Sequence, residues 1–408
     1  MKLTRRNFIW LTGLGSMSFW TRRTHGSQLP TQPSDFASPR STPSVWIELN
    51  LENMGWNLKQ IQNLVGVPVM AVIKANAYGH GIEEVGRYLE KKGIDSLLVG
   101  KFQEAVQLRS KGISCPIHNF GPISETDTQW LVEHRVSQSV FSEKIHALDS
   151  TALRIGKKAL VHIHIDTGMG RMGIPYREAS SYINTAARLS GINILGISTT
   201  LTEDEKYDKI QLHRFNDICH GLEKEEISPG LRHAASSGGL FTLPSAYLDM
   251  VRPGITLYGY YPSDVTQAEN KLSLKPVLQL KTRVAAIKEL RSGDSVSYHR
   301  AYKATKKEKI AVLPIGYSDG YPTSVANKGF VLIRGERHRI IASITANHME
   351  VLLSNDTTVS EGDETVLIGE QGEKSISAFD VARLAGISTY KLLISLNPLL
   401  PRMNMSTP

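Results

Sequence analysis

Eight short apolar runs constrain the fold of this chain more than any other feature. They lie at residues 67–73, 97–100, 116–120, 137–141, 159–165, 194–198, 231–236 and 249–252. Runs this short and this uniformly apolar read as strands buried on both faces. Most of the intervals between them carry a helical pattern; Leu212, Phe215, Cys219 and Leu222, for example, form one apolar stripe. Eight strand–helix units predict an α/β fold, a closed (β/α)8 barrel of the TIM type. An open doubly wound sheet is the alternative, but no G-x-G-x-x-G follows the first strand. Chemistry in such barrels sits at the C-terminal ends of the strands. Lys74, Arg171, Ser237 and Arg252 fall at or just past such ends.

The chain has 408 residues, enough for two or three domains. Its net charge of +8 is modest and comes without a long basic run, which gives little support to nucleic-acid binding. Two cysteines, Cys115 and Cys219, exclude a disulfide framework and a zinc site. Residues 1–43 stand apart. Lys2, Arg5 and Arg6 precede FIWLTGLGSMSFW, an apolar stretch too short and too Gly/Ser-interrupted to span a membrane comfortably. Thr4-Arg5-Arg6-Asn7-Phe8-Ile9 resembles a twin-arginine export signal, which implies a periplasmic protein exported after folding. Residues 24–43, rich in Ser, Thr and Pro, read as a linker. The body shows no transmembrane helix.

The barrel is expected over residues 44–275. Beyond it Leu278, Leu280, Thr282 and Val284 alternate with Gln279, Lys281 and Arg283, a half-buried antiparallel strand. Further strands are expected at 310–314, 330–333, 340–345 and 365–368. A helix is expected at 379–385, capped by Ser377 and ended by Gly386. Residues 276–408 therefore read as a mostly β C-terminal domain. Near the N-terminus, Asn50 is a reasonable cap for a helix running to about Leu64.

The first of the eight runs ends in Lys74. A lysine at the mouth of a buried strand faces a cleft with its stem in apolar surroundings, and desolvation there makes the amine a better nucleophile and base. Asn76, Tyr78 and His80 follow, spaced by Ala75, Ala77, Gly79 and Gly81, small residues that would let a ligand approach the backbone. The fifth run ends in DTGMGRMG, a Gly-rich turn in which Arg171 offers a planar fork to an anion. His233-Ala234-Ala235-Ser236-Ser237 opens a turn suited to phosphate capture. Met250-Val251-Arg252-Pro253-Gly254-Ile255 ends the eighth run.

AVIKANAYGHG and DTGMGRMG together resemble the signatures of alanine racemases, pyridoxal 5′-phosphate enzymes of fold type III, and the resemblance spans about residues 45–402. It implies that Lys74 carries the cofactor and is one catalytic base. Tyr78, Ser237, Gly254, Ile255 and Tyr390 correspond to the phosphate side, with Tyr390 also near the mouth. Arg171 corresponds to the residue that meets the cofactor's phenolic oxygen and the substrate carboxylate, and Arg252 to the partner of the pyridine nitrogen. An arginine stays protonated and leaves that nitrogen unprotonated, a weaker electron sink suited to immediate reprotonation. In Val296-Ser297-Tyr298-His299-Arg300-Ala301-Tyr302, Tyr298 matches the second base, contributed by a partner subunit. Two bases on opposite faces spare a single lysine from having to serve both. The resemblance thus implies a homodimer, a small amino-acid substrate with alanine as default, Tyr317 near the mouth, and a substrate-carboxylate contact at the backbone of Ala346. It also places the first strand, near Val45, in the C-terminal domain.

Some positions depart from the family pattern. His164 stands in place of a lysine that can be carbamylated to orient Arg171. Thr200 replaces a histidine, Thr323 an arginine, and Thr345-Ala346-Asn347 stands where relatives read Cys-Met-Asp. A wider, less acidic pocket and broadened substrate choice are expected. Two rival readings are a decarboxylase of related fold on the same cofactor, which Arg252 disfavours, and a non-catalytic cofactor- or envelope-binding protein.

Overall fold

The structure, a computed structural model, describes residues 43–269 and 271–405. The expected export signal and almost all of the linker lie outside the described residues.

Strand β1 (Val45–Leu49) leads into a helix, Leu51–Val65, whose N-cap Asn50 accepts a hydrogen bond from the Asn53 amide at 3.1 Å. Gly66, at φ +64°, turns the chain out of it. The barrel strands follow: β2 (Met70–Val72), β3 (Ser96–Val99), β4 (Ile117–Asn119), β5 (Val136–Val140), β6 (Ala159–Asp166), the short β7 (Ile174–Pro175) beside it, β8 (Ile192–Ser198) and β9 (Leu231–His233). They pair in parallel in the order β2-β3-β4-β5-β6-β8-β9. Residues 249–253 close the ring. On one side the Asp249 amide donates to Arg232 O (3.0 Å) and the Arg252 amide to Ala235 O (2.9 Å). On the other, Val251 donates to Pro68 O (3.0 Å), Met70 to Val251 O (2.9 Å) and Val72 to Pro253 O (3.0 Å). The eight-stranded barrel read from the apolar runs is therefore closed. Helix Ile82–Lys91 buries Ile82, Val85 and Leu89 against it, and helix Glu205–Lys224 buries Leu212, Phe215, Cys219 and Leu222. Cys115 and Cys219 are both free.

The C-terminal part is built from β10 (Leu278–Arg283), β11 (Ala286–Leu290), β12 (Ser295–Val296), β13 (Tyr302–Lys303), β14 (Glu308–Leu313), β15 (Phe330–Ile333), β16 (Glu336–Ile341), β17 (Met349–Leu353), β18 (Glu364–Gln371), β19 (Lys374–Ile376) and β20 (Arg402–Asn404). Its main sheet runs β11-β14-β17-β16-β15-β18-β10-β1-β20. So β1, first in sequence, lies between β10 (antiparallel, Ile47 opposite Leu280) and β20 (parallel, Glu48 opposite Met403). The expected polar face of β10 is not solvated at Lys281. Its ammonium is buried between Glu48 (2.8 Å) and Glu364 (3.0 Å), carboxylates supplied by the strands on either side. The strand expected at 340–345 starts and ends earlier, because Ala342 turns the chain at φ +59°, and β17 was not anticipated. Helix Ala378–Ala385 is capped by Ser377 and stopped by Gly386 as its sequence demands. Among the described residues no helix is long and apolar enough to cross a membrane.

Candidate active site

Directly behind Lys74 the backbone makes one turn of left-handed helix. Ala75, Asn76, Ala77 and Tyr78 have φ of +54°, +53°, +52° and +50°. Ala77 donates to Ile73 O (2.9 Å) and Gly79 to Ala75 O (3.2 Å). Each L-residue in such a turn costs roughly 1–2 kcal/mol, so neighbours must hold it. The Asn76 side chain accepts from the Ile82 amide (2.9 Å). Buried His80 directs Nδ1 at the carbonyls of Ala77 (3.1 Å) and Tyr78 (3.0 Å), which fixes Nδ1 as the protonated nitrogen. Arg402, from β20, donates to Gly79 O (2.8 Å). Gly79 is small for the protein's own sake: a Cβ there would lie 2.0 Å from Leu393 O, so its role is to admit helix Thr389–Ser395 and not a ligand.

The turn aims Lys74 into a cavity of about 350 Å3 at the C-terminal mouth of the barrel. Its wall includes Tyr78, Arg171, Ser237, Arg252, Gly254, Ile255 and Tyr390, together with Phe120, Thr200, Glu203 and Ser236. Burial, and then the Arg171 charge, lower the Lys74 pKa below that of an ordinary lysine, against the opposing pull of Glu104. Glu104 itself is held by the amides of Gly100 (2.9 Å) and Asn76 (3.3 Å). Among the described residues no carboxylate pairs with Arg171. His164 does not reach for it: the ring is buried, its Nδ1 meets Ser198 Oγ at 2.9 Å, and it packs edge-on against Phe120.

Arg252 forms the floor. It is buried and donates to His233 O (2.7 Å), Thr199 O (2.7 Å), Ala234 O (3.2 Å) and His233 Nδ1 (2.6 Å). Burial pushes its pKa down only to about 10, so it is a cation at neutral pH. Because Arg252 can only donate, His233 Nδ1 accepts, and Nε2–H of His233 donates to His162 Nδ1 at 2.9 Å. His118 packs its ring 4.5 Å from His162 and bonds Ser137 and Ser139. Burial, with the Arg252 charge adding to it, lowers His162 to about 4 and His164 to about 3. The barrel interior beneath the site is thus a set of neutral imidazoles ordered by one arginine. Period-two polar residues on β6 were the only sequence signal for this.

At the far end Ser237 Oγ accepts from the amides of Gly254 (2.9 Å) and Thr256 (3.3 Å). A Cβ at Gly254 would lie 2.6 Å from the Tyr78 hydroxyl, so glycine there opens a cradle. Tyr78 and Tyr390 pack in a tilted pair with ring centroids 5.8 Å apart. Hydroxyls of Tyr78, Tyr390, Ser236 and Ser237 and the backbone at Gly254 and Ile255 converge: neutral donors suited to an anion. An amine at one end, an arginine on the floor and an anion cradle at the other match the aldehyde, ring nitrogen and phosphate of pyridoxal 5′-phosphate.

Tyr298, Tyr317 and Ala346 are not on this wall. All three lie on the C-terminal domain, where Tyr317 and Ala346 are neighbours. Tyr317 N donates to Thr345 O (3.0 Å), Ser318 Oγ donates to Ala346 O (2.7 Å), and Asn347 Nδ2 donates to Ser318 Oγ (2.8 Å). Tyr298 is 74% exposed and Tyr317 57%.

Residues 49–262 match the family model described as alanine racemase, N-terminal domain, and residues 277–404 its C-terminal domain. The chain belongs to the alanine racemase family. An alanine racemase of Clostridium perfringens is 39% identical over 366 residues, covering 88% of this chain and 95% of that one. Alanine racemase 2 of Caldanaerobacter subterraneus is also 39% identical, over 365 residues, with 88% and 94% covered. Among solved structures, the alanine racemase of Clostridium difficile 630 superposes with a TM-score of 0.84 at 33% identity, covering 90% of this chain and 97% of that one. That from a D-cycloserine-producing Streptomyces lavendulae gives 0.84 at 28%, with 90% and 99% covered. As a member of this family the protein is an isomerase, an amino-acid racemase dependent on pyridoxal 5′-phosphate.

Proposed function

We propose that this enzyme interconverts L- and D-alanine with two bases, Lys74 of one chain and Tyr298 of a second copy, in a homodimer exported to the periplasm. The observation that carries this reading is the split between the two residue groups. The cavity wall offers Lys74 as a base, its other titrating hydroxyls and carboxyl (Tyr78, Tyr390 and Glu203) are assigned to the phosphate end, and Tyr298 stands exposed on another surface. Pyridoxal 5′-phosphate, when bound, supplies the electron sink that acidifies the Cα–H of an amino acid. Lys74 holds the cofactor and then takes or returns the Cα proton on its own face. Tyr298 serves the opposite face. Arg252 keeps a positive charge beneath the ring, and Arg171 orients the substrate carboxylate.

Substrate breadth is the finer part of the proposal. Thr345 Oγ1 donates to His348 O at 3.0 Å and Asn347 Nδ2 to Ser318 Oγ, so the wall that the second copy would bring to the site carries no charge at the position where the family resemblance places an acid. Such a wall tolerates larger or basic side chains. The tests are direct. Tyr298→Phe should lose about 10²–10⁴-fold in kcat while cofactor absorbance is retained. Mixing Lys74→Ala and Tyr298→Phe chains should restore activity, since a mixed dimer contains one intact site; no restoration would sink the shared-site reading. Chiral analysis of initial rates on alanine, serine, lysine and arginine reads breadth, and turnover of alanine alone would refute it. Detection of the mature chain only in the cytoplasm would refute export.

A further inference from the structure

The phosphate end of the cavity contains an acid. Glu203 lines the same wall as Tyr78, Ser236, Ser237, Gly254 and Tyr390. Its backbone is held at φ +68°, a conformation that a glutamate rarely adopts. Its carboxylate lies against the start of helix Ser237–Thr242: a Cβ on Gly238 would stand 2.8 Å from Glu203 Oε1 and 2.9 Å from its Cδ. Among the described residues no cation forms an ion pair with Glu203, and Arg252, the buried cation of the wall, is bound to carbonyls and His233. The groups that face Glu203 do not neutralise it. Ser236 beside it holds its pKa back slightly, Tyr78 and Tyr390 feel its charge, and Asp208, on the following helix, is a second carboxylate, buried and accepting from Thr202.

We propose that Glu203 is a proton-sharing ligand of the cofactor's phosphate, binding it as the neutral acid and opposing it as the carboxylate. This rests on the assignment of the Ser237–Gly254 cradle as the phosphate end. A phosphate oxygen brought beside an ionised Glu203 would meet like charge with no cation between them. When Glu203 holds one proton, its O–H donates to that oxygen and repulsion becomes a hydrogen bond. Burial, reinforced by Asp208, already raises the Glu203 carboxyl above its ordinary value before any phosphate arrives. The sign follows. Phosphate binding raises this pKa further, so the favourable term is complete below the free-state value and is lost as pH rises through the bound-state value. Cofactor retention is thereby coupled to the pH around the enzyme.

The test uses the full chain stripped of cofactor and pyridoxine 5′-phosphate, which has no aldehyde and cannot react with Lys74. The ligand's own ionisation affects all variants alike. Between about pH 6 and about pH 9 the dissociation constant of the unaltered chain should rise about tenfold more than that of Glu203→Gln, one unit of pKa coupling being tenfold in affinity. Glu203→Ala should flatten the profile in the same way, and pyridoxine without phosphate should show no difference between variants. Equal pH slopes in all three proteins would overturn the role of Glu203. A Ser237→Ala variant separates the two layers: weakened phosphate binding with equal slopes refutes Glu203 alone, and undiminished phosphate binding in Ser237→Ala refutes the cradle and the proposal with it.

Discussion

Two left-handed turns carry the two side chains proposed as bases, and they are supported in opposite ways. The turn behind Lys74 is packed on every side: by His80, Asn76, Arg402 and the carbonyl of Leu393. The turn around Tyr298 has Ser297, His299 and Arg300 at φ +65°, +58° and +54°, but its supports are thin. Arg300 reaches Ser295 Oγ (3.0 Å) and Gly293 O (3.2 Å), and a 3.5 Å contact joins Ser297 to Ser343. Strained backbone persists where surrounding structure over-determines it. For Lys74 the chain supplies that structure itself. For Tyr298 it does not, which fits the proposed completion of that surface by a second copy.

The largest expected effect tests how dry the lysine side is. His162 and His164 sit in the barrel interior with pKa values near 4 and 3, and His118 and His233 are pushed well below the ordinary histidine value by burial and neighbouring charges. The unfolded chain protonates these residues near pH 6.5. Between that value and the folded one the unfolded state binds more protons, so folding stability is complete above about pH 6.5 and falls as pH drops. Urea unfolding of the barrel should lose several kcal/mol in all between about pH 7 and about pH 5. A flat profile over that interval would show that water reaches these rings.

The second effect sets the two turns directly against each other. His80→Ala removes the ring that holds the Ala77 and Tyr78 carbonyls and packs, tilted, against Tyr258 with centroids 4.5 Å apart. It strips the Tyr78 carbonyl of this donor beside a new cavity, while Ala77 O keeps the His80 amide at 3.0 Å, a loss of about 3 kcal/mol. His299→Ala, on the exposed turn, should stay within about 0.5 kcal/mol. Equal losses in denaturant midpoint would erase the distinction between a self-supported and a partner-supported turn.

Much of this was legible from residues alone, and the reasons are local. Apolar runs bounded by polar helices mark barrel strands because both faces of a parallel strand are covered. Asn50 and Ser377 mark helix starts because the cap uses their own side chains. Lys74, Arg171, Ser237 and Arg252 stand out because each falls at or just past the end of such a run. The left-handed turn was not legible: Ala75, Ala77 and Tyr78 prefer right-handed backbone, and the groups that overrule them, Leu393 and Arg402, come from the far end of the chain. The closeness of Glu203 to Gly238 and the histidines around Arg252 were hidden for the same reason. They are contacts between different strands, loops and helices of the barrel, which sequence spacing does not bring together.

The smallest effect isolates that local conflict by its sign. Ala147 lies in the right-handed helix Lys144–Arg154 and, like Ala75, is half-buried. Replacing an interior helical alanine by glycine costs about 1 kcal/mol, and Ala147→Gly should show it. Ala75→Gly loses the same methyl and gains the same freedom in the unfolded chain, which works against it by about 0.5–1 kcal/mol. It also releases a residue held at φ +54°, where an L side chain costs roughly 1–2 kcal/mol. The balance should be neutral to slightly stabilising. A matched pair of thermal or urea melts therefore reads the difference between the two substitutions and not either one alone. If Ala75→Gly destabilises as much as Ala147→Gly, the turn behind Lys74 stores no strain, and the supports gathered around it serve packing only.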